Sequence, residues 1–418
     1  MNMNQLLSFK DKKEKTFYMA SLLCIVGFLL LALICPDSQA SVFFRKTQDF
    51  CADFFNVMRY LCDRDPYFNS VGEPCEKIYL PLSYFILYPF TFFCDYTTMS
   101  LMDCWHSHTA LLQCGVYTLI AGVIFIHSLL TVCKSYGYKR AFLILALLSS
   151  IFLFSVERGN LIFLSVAGIN YFISFYHSEN KKARYFALTC LCVASVLKIF
   201  PVFLGFLLLA ERRYKDIAYC IVVSLLLTFL PFRFFTHGWE NVPRLIENDL
   251  ANNEVYNLHS LFPRFGIGNL VSIGTRYMLH IPMDKVEIWM TIARIFTIVC
   301  TILSVFLALR EKRMWIQVAL LTTIVIQLPI CNSIYLGLYF FPVMILFFTR
   351  KEQGRYDWIY IIFFCLFICP LQIPFPHGTL GDMSITSFFP NIAITIMWVV
   401  TLWDSIQTVF FTPKSQKA

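Results

Sequence analysis

Four aspartates crowd into the stretch TQDFCADFFNVMRYLCDRDPY, residues 47–67. Asp49, Asp53, Asn56 and Tyr60 follow at spacings of four, three and four, so a helix carries them on one face. Phe50, Phe54, Val57 and Leu61 form an adjacent apolar stripe. The pattern predicts an amphipathic helix lying on a membrane surface with its carboxylates aimed at one place; a solvated polar face is the plainer reading. Asp63 and Asp65 precede Pro66 and read as a local turn. Glu157-Arg158-Gly159-Asn160 interrupts two apolar runs. Gly-Asn alone supplies a turn, so Glu157 and Arg158 ask for another explanation. Lys198, in VASVLKIFPVFLGF, has no acid within ten residues on either side. Such a lysine either snorkels to an interface or binds an anion. Pro201 then breaks the helix, leaving backbone groups to line a cavity rather than lipid. A later loop brings Arg244, Arg264 and Arg276 with His237, His259 and His280. This composition suits a phosphate-bearing ligand, although ordinary loop polarity accounts for any one of them. No HExxH, CxxC, P-loop, GxGxxG or GxSxG pattern occurs.

The rest of the chain explains what must position these residues. Of 418 residues, 58% are hydrophobic and 14% charged, more apolar surface than a soluble fold can hide. The expected class is an all-α polytopic membrane protein. Unbroken apolar runs at 16–35 and 111–132 exclude a β-barrel. The formal charge of +8 sits in short basic clusters between apolar segments, which reads as topology and not as nucleic-acid binding. Most of the 16 cysteines lie in apolar segments. Cys51, Cys62, Cys75, Cys94 and Cys104 share one non-membrane region, and pair there if it faces an oxidising compartment; free thiols fit equally. Ser38-Gln39-Ala40 resembles a signal-peptidase site, but the preceding apolar run is long for a signal peptide, so an uncleaved first transmembrane helix is expected.

Placing every basic cluster on the cytoplasmic side requires an even number of crossings between neighbours. Residues 79–94, short and holding Pro81 and Pro89, are then a surface or half-inserted helix, and 185–198 with 201–210 a broken hairpin whose tip carries Lys198. The expected order is a cytoplasmic N-terminus (1–16), a first transmembrane helix (17–35) and a long external loop with juxtamembrane helices (36–108). Transmembrane helices (109–233), a second external loop (234–287), further transmembrane helices (288–411) and a cytoplasmic tail (412–418) follow. The sum is about twelve crossing helices. Nearly every unusual polar residue falls on the outer side.

The order of Asp49, Asp65-Pro66-Tyr67, Tyr79-Leu80-Pro81, Arg158-Gly159-Asn160 and Lys198-Ile199-Phe200-Pro201 resembles the GT-C superfamily. It is similar above all to glycosyltransferase family 87, the polyprenyl-phosphate-mannose-dependent mannosyltransferases. The likeness spans about residues 45–235. Asp53 stands where that family has tyrosine, Leu80 replaces a proline, and the family's Gly-Gln motif is missing. The carboxy-terminal half matches loosely through Asn257…Ser260 and Tyr335.

The resemblance implies a GT-C-like fold and transfer of a sugar, mannose first, from a polyprenyl-phosphate donor to a lipid-linked or glycan acceptor. The reaction inverts the anomeric carbon on the outer face of a bacterial cytoplasmic membrane. It makes Asp49 the general base, with Asp53 the alternative, and gives the donor phosphate to Lys198 and Arg158, assisted by Arg244, Arg264 and His259. Glu157, Asn160, Tyr67, Tyr79, Asn257 and Tyr335 become substrate contacts. No cofactor is implied; two carboxylates are a thin set for a divalent ion and leave metal assistance open. Membrane lipids are the other partners. The competing expectations are a lipid-linked glycan transporter or flippase, which calls for inverted repeats that the sequence does not display, and a glycan polymerase or ligase.

Overall fold

The computed structural model describes residues 12–39, 50–259, 265–329, 333–351, 353–371, 373 and 389–411, without the side chains at 37, 38, 62, 256–259, 277, 278, 283 and 284. Among these residues the chain is helical and has no strand. The helices are α1 (Lys12–Ile34), α2 (Ala52–Tyr60), α3 (Pro81–Leu87), α4 (Leu101–His106), α5 (His108–Val132), α6 (Lys139–Leu147), α7 (Ser150–Arg158), α8 (Ile162–Phe175) and α9 (Lys181–Lys198). They continue with α10 (Phe206–Ala210), α11 (Tyr214–Phe229), α12 (Asn241–His259), α13 (Ile267–Ile273), α14 (Met283–Ala308), α15 (Met314–Gln327), α16 (Phe341–Thr349), α17 (Asp357–Ile368) and α18 (Phe389–Ile406).

Among the described residues, five helices are long and apolar enough to cross a membrane: α1, α5, α11, α14 and α18, some lengthened by a terminal turn. The pair α6 and α7, bent by 54°, makes a sixth if taken as one span. The other apolar helices are shorter than the sequence runs imply. At 1.5 Å per residue a twelve-residue helix covers only about 18 Å of a hydrocarbon layer about 30 Å thick. The breaks have local causes. Ser149 caps the start of α7, accepting from Phe152 N at 3.2 Å and so starting a new helix after a break of two residues. Pro89 follows α3 and tightens the chain into a 3₁₀ turn over Tyr88–Phe93.

The chain reverses after α9. Ile199 adopts φ 53°, and Phe200–Gly205 continues as a 3₁₀ turn. The returning segment brings Gly205 against Leu191. Arg213 Nη1 then donates to Tyr176 O at 2.7 Å, beside the point where α9 began. Residues 181–213 are therefore a helical hairpin with Lys198 at its tip. α8 runs back along α9 so closely that a Cβ on Gly168 would stand 2.6 Å from Cys190 O, a contact only glycine permits. Ser165 Oγ donates to Ala194 O at 2.9 Å on the same seam.

Long-range contacts sort the polar residues to two ends. At one, Lys13 and Arg350 both pair with Asp357, the former at 2.9 Å. The Arg350 guanidinium also lies 4.7 Å over Trp315, and Arg313 pairs with Asp404 at 3.2 Å. Tyr136 donates to Glu14. α5 and α8 run parallel, Phe125 on Phe163 and His127 on Tyr171, so Tyr176 with Arg213 shares that end. Asp53, Arg158, Asn160 and Lys198 occupy the other.

Candidate functional site

The centre is Asp53. Its Oδ1 accepts from Arg158 Nη2 at 2.5 Å and its Oδ2 from Asn160 Nδ2 at 2.6 Å. Three elements create this meeting. α2 is pinned by Phe54, stacked 5.2 Å from Tyr117 of α5, and by Cys51 N donating to Glu157 O at 2.7 Å. α7 ends at Gly159, whose φ of 61° closes the helix and turns Arg158 and Asn160 towards α2. A Cβ there would stand 3.1 Å from that of Phe54, so glycine also allows the approach. Asn160 in turn accepts from Ile162 N at 2.8 Å, tying the site to the start of α8.

Lys198, the last residue of α9, sends its ammonium 4.9 Å over the Tyr79 ring and 5.4 Å over the Tyr335 ring. Burial raises the Asp53 carboxyl, but Arg158, then Asn160 and Lys198, outweigh it and hold the group below its ordinary value. Asp53 is thus a carboxylate at neutral pH. Tyr79 goes the other way: burial, then the charge of Asp53, push its hydroxyl well up, so it stays a hydrogen-bond donor. The arrangement is a fixed carboxylate flanked by two cations and tyrosine hydroxyls, able to orient an anionic group.

The α2 prediction needs correction. No residue from Ala52 to Tyr60 is exposed, so the helix is enclosed and does not lie on a surface. Tyr60, expected on the polar face, is buried and donates to Glu76. Its register is right for Asp53 because Phe54, Val57 and Leu61 do form the buried stripe.

The sequence candidates divide into three sets. Asp53, Arg158, Asn160, Lys198, Tyr79 and Tyr335 come together. Glu157 is buried beside them, with its carbonyl on Cys51. Tyr67 supports them from behind: it is 1% exposed and its hydroxyl donates to Tyr79 O at 2.7 Å, fixing the loop that carries the Tyr79 ring. Arg244 stands in a separate cluster, paired with Glu247 at 2.9 Å and 5.7 Å over Phe68. Asp49, Arg264 and the side chains of Asn257 and His259 lie outside the described residues.

Several supports were not read from sequence. His237 Nδ1 lies 2.9 Å from Asp65 Oδ1, and Thr236 Oγ1 donates to Asp63 O at 2.8 Å, clasping the loop after α11 to the Asp-Pro-Tyr turn. Asn252 Nδ2 donates to Cys75 O at 2.6 Å, fastening α12 to the loop before Tyr79. Buried Lys77 lies beneath, donating to Asn69 O and 5.7 Å over the Tyr60 ring. Only the polar asparagines of α12, at 241, 248 and 252, carried a signal: their spacing puts them on one helix face, and all three are buried. Among the described residues, no group of three His, Cys, Asp or Glu side chains is placed to hold a metal ion.

No protein-family model matches the chain, and comparison with curated proteins finds no match. Fold and apolar helices together define the class: a multi-pass helical membrane protein.

Proposed function

We propose that the protein is a membrane glycosyltransferase that moves one sugar, mannose first among candidates, from a polyprenyl-phosphate donor to a lipid-linked or glycan acceptor at the outer face. The observation that carries this reading is the ionised Asp53 clamped by Arg158 and Asn160, with Lys198 between Tyr79 and Tyr335, at one end of an apolar bundle. A phosphate leaving group needs charge neutralised more than it needs a proton, and Arg158 and Lys198 meet that need.

The clamp also separates two carboxylate roles. Asp53 has both oxygens engaged and a depressed pKa, which makes it a poor proton acceptor and a good holder for Arg158. Asp49 is the base. It takes the acceptor hydroxyl proton as the oxygen attacks the anomeric carbon, the bond to phosphate breaks, and polyprenyl phosphate leaves with inversion. The test is transfer by purified protein from polyprenyl-phosphate-mannose to a panel of glycolipids, read by mass spectrometry. Addition of one hexose supports the reading. Asp49→Asn that folds normally and keeps full transfer rate removes Asp49 as base.

A further inference from the structure

The cysteines hold a relationship that sequence spacing did not expose. Cys51 opens α2 in the left-handed conformation, φ 53°, and Cys114 lies in the second turn of α5. Both are buried, at 4% and 2% exposure, and the neighbouring Cys114 thiol raises that of Cys51. Gly159 shows how close they come: a Cβ built there would be 3.4 Å from Cys114 Sγ and 3.6 Å from Cys51 Cα. The two cysteines therefore meet across the one residue in the junction that has no side chain.

We infer that Cys51 and Cys114 form a disulfide that staples the start of α2 to α5, directly behind the Asp53–Arg158 contact. Cys51 is two residues from Asp53 and bonded to Glu157 O, next to Arg158. The staple thus fixes the end of α2 that also holds the α7 backbone through Cys51 N and Glu157 O, and so steadies the Asp53 side of the ion pair. Each thiol gives up one proton and one electron, and the two sulfurs bond. A disulfide oxidant, R–S–S–R, accepts both electrons and leaves as two thiols. The inference rests on the outward orientation proposed above, because pairs facing a reducing cytosol stay as thiols. The neighbouring Cys114 thiol, then burial, raise the Cys51 thiol, so in the folded protein it is not a reactive sensor.

The test uses full-length protein in native membranes. Thiols are blocked at once with N-ethylmaleimide, the protein is digested without reductant, and peptides are weighed. The expected species is the Cys51 peptide joined to the Cys114 peptide, two hydrogens lighter than their sum. It vanishes on reduction and in Cys114→Ser, where Cys51 instead becomes alkylated after denaturation. Recovery of both peptides as alkylated thiols overturns the inference, as does Cys51 linked to Cys62, Cys75, Cys94 or Cys104. Cys192, whose thiol donates to Cys220 O at 3.5 Å between α9 and α11, serves with Cys220 as a reference, and both are expected alkylated. A linked peptide without sugar transfer leaves the staple standing and counts against the enzymatic reading alone.

Discussion

Asp53 is ionised because two donors, Arg158 and Asn160, and the charge of Lys198 outweigh its burial, and this has a pH signature. A carboxyl with a depressed native pKa adds stability that is fully present above the unfolded value, about 3.9, and is lost as pH falls through the native one. Melting temperatures of the wild type and Asp53→Asn in detergent should differ by a constant amount from neutral pH down to about 5. They should converge below about 4. Convergence already near neutrality contradicts the assignment. Arg158→Ala leaves that carboxylate without its cation and should destabilise by on the order of 2 kcal/mol, with a larger proportional loss of donor affinity than of fold. Lys198→Ala keeps the fold, since the side chain is only half-buried at a helix tip, and should weaken donor binding more than Lys198→Arg does. Donor titration against transfer rate separates these outcomes.

At the scale of elements, turns matter more than spans. Gly159 ends α7, sits at positive φ and lies against Phe54. Gly159→Ala should cost about 1–2 kcal/mol through the left-handed backbone alone, and transfer should fall because Arg158 and Asn160 flank the strained residue. A thermal shift beside an activity assay checks both. The contrast between α2 and α9 explains what was legible in the sequence. A lone lysine before a proline in an apolar run signals a break, and the chain does reverse there. Asp53, Arg158, Asn160 and Lys198 stood out because charge is costly in such surroundings. The burial of α2 was not legible, since it depends on Phe90, Tyr117 and Glu157 arriving from three later elements. Nor was the Tyr67–Tyr79 bond, because a tyrosine hydroxyl pattern does not name its partner. Helix lengths were overread: an apolar run continues through a cap or 3₁₀ turn that hydropathy alone does not register.

At the scale of the whole molecule, the Lys13–Asp357–Arg350 cluster and the site residues occupy opposite ends. An outward site then predicts that a cysteine replacing exposed Asp95 reacts with an impermeant thiol reagent applied to intact cells, and that one replacing exposed Arg355 reacts only after permeabilisation. The reverse pattern inverts the topology. The central claim is transfer itself, and its most direct measurement is the mass of a glycolipid acceptor incubated with purified protein and polyprenyl-phosphate-mannose. The account predicts a gain of one hexose, slowed by roughly 10²–10⁴ in Asp49→Asn. An acceptor unchanged in mass, from a protein whose melting curve shows it folded and which binds the donor, contradicts it.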